Sequence, residues 1–303
     1  SLARLSWSLF EQWLAAGAPA KDSWALSQLG TFGDDDVAHR LAPMVRRWPG
    51  ESQHKRAVAG LDVLLQIGTD VALMHLDGVA QKVRYKGIKE AARQRISALA
   101  TKLGLSREQL ADRLVPTLGL DQSGTLPLDY GPRQFTVSFD EALKPVVRDA
   151  DGKKRRSLPK PGKRDDAEKA VPAEARFKAL KKAVRTLSSQ QVHRLKQAFL
   201  HRRTWAAADF QRFLVDHPLL VHLVRRLVWA TFDEDDVVHT FRVAEDRTFA
   251  TVDDDPFTLP EGAQVGLFHP VYASADHTAA WVELFADYEL LQPFEQLGRP
   301  ANR

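Results

Sequence analysis

GTLPLDYGPRQFTVSFDEALKPVVRDADG, Gly124 to Gly152, decides the fold class. Phe135, Val137 and Phe139 alternate with polar neighbours, the period of a strand that buries one face. LPLDY stands before them and KPVVRD after, with turn residues at Gly131-Pro132 and Asp151-Gly152. Short strands joined by tight turns make an antiparallel meander. A meander with one apolar face needs a helix to cover it.

Upstream the period is helical. DDDVAHRLAPMVRRW, Asp34 to Trp48, puts Val37, Leu41, Met44, Val45 and Trp48 on one face, with Asp34 to Asp36 as cap and first-turn carboxylates. SQHKRAVAGLDVLLQIG follows, with Val58, Leu61, Leu64 and Leu65 expected inside, and KGIKEAARQRISALATKLG adds another amphipathic helix. SREQLADRLVPTLG carries Ser106 and Gln109 as a capping box and Pro116 as a stop. Asp36-Val37-Ala38 recurs as Asp70-Val71-Ala72, each after a glycine turn, at an interval of about 34 residues. Paired helices at that interval read as HEAT-like repeats. The expected division is a HEAT-like helical repeat region over residues 1–117 and an α+β domain over residues 118–303.

Downstream, AEARFKALKKAVRTL turns Phe177, Leu180, Val184 and Leu187 inward and Lys178, Lys181, Lys182 and Arg185 outward. A helical block is expected from about Asp165 to Phe232, taking in SSQQVHRLKQAFLHRR, TWAAADFQRFLVDHP with Thr204 as its cap, and LLVHLVRRLVWATF. The period then returns to two in VVHTFRVAEDRTFATV, a hairpin turning at Glu245-Asp246-Arg247, and in QVGLFHP. SADHTAAWVELFADYEL closes as a helix capped by Ser274. The expected class is α+β, mostly helical, with small antiparallel sheets covered by helices.

Composition narrows the function classes. Apolar content of 44% and charged content of 27% over 303 residues are those of a globular chain with room for two cores. The absence of cysteine removes disulfides, thiolate catalysis and cysteine-ligated zinc, and fits a reducing compartment. No apolar run approaches the roughly 18 residues of a membrane span, and Glu11 interrupts what would be a leader, so a cytoplasmic location without membrane attachment is expected. The chain starts without Met and inside a helical pattern, as a piece of something longer would.

Charge is distributed unevenly. Residues 151–203 hold 17 Lys or Arg against 5 Asp or Glu, and residues 231–303 hold 4 against 15. The basic peak is DGKKRRSLPKPGKRDD, Asp151 to Asp166, where Lys153, Lys154, Arg155, Arg156, Lys160, Lys163 and Arg164 are candidates for gripping nucleic acid or another anion. Two prolines, no aromatic residue and the acidic last quarter as internal counter-charge support the opposing reading, a solvated connector.

LGLDQSGTLPLDYGPRQFTVSFDEALKPVVRDADGKKRRSLPKP, VDHPLLVHLVRRLVWATFD with FRVAEDRTFA, and LFADYELLQPFEQLGRP, in that order over roughly Leu118 to Pro300, resemble a bacterial domain of unknown function. That domain stands at the C-terminal end of large proteins called molybdate metabolism regulators, often with an N-terminal WGR domain and helical repeats between. The resemblance implies a larger parent protein and no catalytic residues. Because WGR domains accompany nucleic-acid-dependent enzymes such as poly-ADP-ribose polymerases, it also tilts the parent protein toward nucleic acid.

No P-loop, G-x-G-x-x-G, H-E-x-x-H or G-x-S-x-G is present, and no cofactor or metal is expected. The ten histidines do not cluster; His217 and His222 fall on different faces. Acid runs at Asp233 to Asp236 and Asp253 to Asp255 read as turns before they read as cation sites, and Asp216-His217 reads as a turn before Pro218 rather than a catalytic pair. Trp205, Trp229 and Trp281 read as core, and LLQPFEQLGRP as a tail packing back through Phe294 and Leu297. The expected function is a noncatalytic interaction or regulatory module whose partners are the rest of its parent polypeptide and other proteins. A nucleic-acid-binding module and an enzyme of unrecognised type stand as the alternatives.

Overall fold

Polar side chains start several of the helices in the computed structural model, which describes residues 2–298. Two units are distinguished, Ser1–Pro116 and Thr117–Arg303. The first is all helical: α1 (Leu2–Ala15), α2 (Trp24–Ser27), α3 (Leu29–Phe32), α4 (Asp35–Arg47), α5 (His54–Ile67), α6 (Asp70–Lys82), α7 (Lys86–Lys102) and α8 (Arg107–Arg113). Asp34 accepts from the Val37 N–H at 3.1 Å to begin α4, and Thr69 accepts from the Ala72 N–H at 3.2 Å to begin α6. Ser106 and Gln109 close a reciprocal box on α8.

Helix α5 is rotated from its expected face. Ala57, Gly60, Leu61, Val63 and Leu64 are buried, while Val58 and Leu65 are only partly so. The reason is Gly60, where an added Cβ would lie 2.4 Å from Val45 Cγ2, so α4 and α5 meet backbone to side chain. Phe10, Leu29, Leu41, Leu61, Leu64 and Leu76 are fully excluded from solvent around that contact.

The second unit contains two antiparallel sheets. β1 (Leu126–Asp129), β2 (Gln134–Phe139), β3 (Pro145–Asp149) and β4 (Lys154–Arg155) form the meander in sequential order. Phe135, Val137 and Phe139 are buried, and α9 (Ala167–Leu200), capped by Asp166, packs on β1. Helix α9 runs unbroken for 34 residues through Ser188-Ser189, with Phe177, Leu180, Val184, Leu187 and Leu195 along its buried stripe.

Beyond α9 the expected helical block breaks up. β5 (Thr204–Ala206), β6 (Trp229–Asp233), β7 (Asp236–Val243), β8 (Phe249–Ala250), β9 (Pro256–Phe257) and β10 (Gln264–Leu267) form a sheet in the order β5-β10-β6-β7-β8-β9. Thr204 therefore pairs across to Gly266 in a strand instead of capping a helix. Between β5 and β6 lie only α10 (Ala207–Phe210), a π-helical turn at Gln211–Val215, and α11 (Leu220–Val224). The segment WATF is a strand between β10 and β7 with Trp229, Ala230 and Thr231 buried. A strand buried on both faces reads as a continuous apolar run, which periodicity cannot tell from a buried helix.

Helix α12 (Ala275–Asp287) begins at Ser274, whose Oγ accepts from the His277 N–H at 3.2 Å. The tail packs back through Gln296, 2% exposed, whose Oε1 accepts from the Val228 N–H at 2.9 Å while Nε2 donates to Val228 O and Phe268 O. Leu297 joins Trp281 and Phe285 in the adjoining core. No helix among the described residues is long and apolar enough to cross a membrane.

Candidate functional site

The basic stretch begins inside the sheet. Asp149 ends β3 and turns the chain, its Oδ1 accepting from the Asp151 and Lys153 N–H groups at 3.1 and 2.9 Å. Lys154 and Arg155 then pair with Arg148 and Val147 as the edge strand β4. Arg155 closes onto Asp149 Oδ2 at 2.9 Å. Desolvation would raise the Asp149 carboxyl, but the bonds from Lys153 and Arg155 outweigh it and hold the group below the usual carboxylate range.

From Ser157 to Asp166 the backbone is a strap held down by the β1–β2 hairpin. The Tyr130 hydroxyl donates to Pro159 O at 2.9 Å, and the Asp166 N–H donates to Tyr130 O at 3.0 Å. Arg133 donates from Nε and Nη2 to the two Asp165 oxygens at 2.9 and 2.6 Å, and its guanidinium lies 5.5 and 5.4 Å from the Tyr130 and Phe135 ring centres. Asp165 also accepts from the Gly162 N–H at 2.6 Å. These bonds, Arg133 first, hold its carboxyl below the ordinary value. Gly131, at φ +82°, lets the hairpin come this close, since a Cβ there would stand 2.8 Å from Asp166 Cβ.

The basic side chains of this stretch, on β4 and on the strap, lie in solvent. Lys153, Lys154, Arg155, Arg156, Lys160, Lys163 and Arg164 are all exposed. Apart from Arg155, none of the seven forms an ion pair among the described residues. Two carboxylates of the acidic last quarter hold other groups: Asp254 holds Arg242 at 2.8 Å and the Tyr288 hydroxyl at 2.8 Å, and Asp235 holds Arg202 at 3.4 Å. The backbone is thus anchored where a solvated connector was expected, while its charge stays in solvent.

Sequence reasoning took Gly131-Pro132 as a turn and passed over the clamp of Tyr130, Arg133 and Asp165. The visible signal is an aromatic and an arginine flanking that turn, but the partners lie 29 and 32 residues away.

Of the other polar candidates, Asp216 and His217 have structural partners. His217 is buried, and its Nδ1 accepts from the Leu219 and Leu220 N–H groups at 3.1 and 3.2 Å. Asp216 accepts from Gln211 at 2.7 Å. Trp205, Trp229 and Trp281 are buried. Among the described residues no three His, Asp or Glu side chains converge on a point that could hold a metal ion.

The profile of the family described as "Domain of unknown function (DUF4132)" matches residues 152–303, which takes in the strap and everything after it. The chain is 40% identical over 302 residues to "Uncharacterized protein YehI" of Escherichia coli strain K12. That alignment covers 99% of this chain and 25% of the relative, so the chain spans a quarter of that protein's length. No solved structure matches.

Proposed function

The chain belongs to the DUF4132 family, and we propose that within a larger bacterial protein it acts as a noncatalytic recognition module that docks an anionic macromolecule, nucleic acid first, on the strap of the α+β unit. One observation carries the reading: six exposed cations have no carboxylate partner among the described residues, Lys160, Lys163 and Arg164 on a backbone clamped by Tyr130 and Arg133, and Lys153, Lys154 and Arg156 in or beside the edge strand β4 that leads into it. Clamping lowers the conformational entropy that a phosphate contact must overcome, and unpaired cations need not give up an internal partner first. A regulatory role for the parent protein, and an all-helical unit serving as a HEAT-like surface for protein partners, accord with this reading. So does the expected WGR company, which favours nucleic acid as the polyanion.

The test is fluorescence anisotropy of the purified chain with short single- and double-stranded DNA and RNA, at low and moderate salt. A variant with Lys160, Lys163 and Arg164 changed to Ser runs in parallel. Six phosphate contacts predict a log–log salt slope of about −5 on duplex, and losing three of the six unpaired cations should bring it to about −3. Binding that ignores salt, or that the variant retains in full, rules the strap out.

A further inference from the structure

The residue that closes helix α11, Arg225, carries a charge without an ion pair among the described residues. The Arg225 side chain is half-buried and makes no hydrogen bond or ion pair among the described residues, and its Nε is shielded from solvent. A guanidinium drawn out of water without a counter-charge is unfavourable, so natural folds pair it. Its neighbours are paired. Arg226 donates to His222 O and Leu291 O, Arg242 holds Asp254, and Arg247 donates to Asp216 O and Gln122 O. One turn before Arg225, His222 Nδ1 is also buried without a partner.

Arg225 stands where two clefts meet. One, of about 1050 Å³, is walled by Phe249, Phe257, Tyr288 and Glu141 among others. The other, of about 350 Å³, includes His222. Glu245 and Asp246 border both. The lining is mixed, with apolar side chains such as Phe249 and Phe257 beside several charged and polar groups.

The charges select the ligand. Asp254 is already used by Arg242 and Tyr288. Glu141, Glu245 and Asp246 form no ion pair among the described residues, although Glu141 lies in the field of Arg226 and Asp246 accepts from Thr248, so the cleft offers charge of both signs. A polyanion would meet the two glutamates and a simple cation would meet Arg225; a molecule with one charge of each sign satisfies both. We propose that this cleft binds a small zwitterion with an apolar or aromatic body, its carboxylate on Arg225, its ammonium toward Glu141 and Glu245, and its body against Phe249 and Phe257. The site is separate from the strap and goes beyond the recognition role assigned to it.

Isothermal titration calorimetry of the whole chain with free phenylalanine, N-acetylphenylalanine, phenylalaninamide and adenosine monophosphate tests this. Free phenylalanine should bind, and blocking either its carboxylate or its ammonium should weaken it at least tenfold. Arg225→Met should abolish binding while melting at the same or a higher temperature, because it removes an unmatched charge. Glu141→Gln with Glu245→Gln should weaken phenylalanine but leave N-acetylphenylalanine unchanged. No heat with free phenylalanine, or equal binding of its amide, overturns the proposal. Binding of adenosine monophosphate alone overturns the ligand class. If Arg225→Met and Glu245→Gln each lower the melting temperature and the double variant lowers it no further, the two form an internal ion pair and the site falls.

Discussion

His39 on α4 and His75 on α6 meet edge to face, with Nε2 of His75 2.8 Å from Nδ1 of His39 and ring centres 4.9 Å apart. The two rings bridge the helices whose starts carry the Asp-Val-Ala repeat, 36 residues apart in sequence. A hydrogen bond between two imidazoles needs one ring to donate and the other to accept, which protonation of both forbids.

The pair predicts a pH dependence of stability. Burial, then His39 and Arg46, push the His75 pKa down to about 4 from an ordinary 6.5. Below 6.5 the unfolded chain takes up a proton that the folded chain refuses, so this contribution is complete above pH 6.5 and is lost as pH falls toward 4. Burial first, and then Arg225, lower His222 to about 4, adding a contribution of the same sign. Denaturant midpoints measured from pH 7 to 4 should fall, and His75→Gln should flatten the fall by about one proton's worth of slope. An unchanged slope would show that His75 titrates normally.

Gly60→Leu should destabilise the helical unit. Its side chain would have to displace Val45 and Trp48, which lie 2.4 and 3.2 Å from a Cβ at that position. Overpacking of this kind costs about 1–3 kcal/mol, more than the few tenths to 1 kcal/mol that leaving glycine returns in helix propensity. Urea unfolding followed by circular dichroism measures the balance, and a gain in midpoint would mean that α4 and α5 can separate freely.

Gln296→Ala should cost about 3 kcal/mol. The amide is the shared partner of Val228 N–H, Val228 O and Phe268 O in a place that water does not reach, and truncation leaves part of that set unmade. Gln296→Glu should be no better, because a carboxylate cannot donate to the two carbonyls. Melting temperatures of the two variants check this, with a near-neutral alanine as the contrary result.

Arg133→Ala should release the strap without unfolding the sheet. Trypsin reaches Lys163 and Arg164 only when that segment can adopt the protease's extended geometry, and Arg133 holds it through Asp165 and Lys160 O. Limited proteolysis followed by mass spectrometry should show cleavage there several-fold faster in the variant, and Tyr130→Phe should show a smaller effect. Equal rates would mean that Tyr130 and the Gly162–Asp165 turn suffice.

Sequence alone determined the features whose causes lie within a few residues. The Asp34 and Ser274 caps, the Ser106–Gln109 box, the alternation of Phe135, Val137 and Phe139, and the inward stripe of α9 are local and came through as read. Tertiary structure decided what depends on distant partners. WATF became a central strand because β10 and β7 are there to pair with it, a fact its own run of apolar residues does not encode. The cations of the strap were legible as composition, but the clamp came only with the fold, since it joins positions about thirty residues apart. Arg225 had a faint signal, two arginines inside an otherwise apolar stretch. That it forms no ion pair among the described residues shows only once the neighbouring carboxylates have been placed, because pairing is a property of space and not of order along the chain.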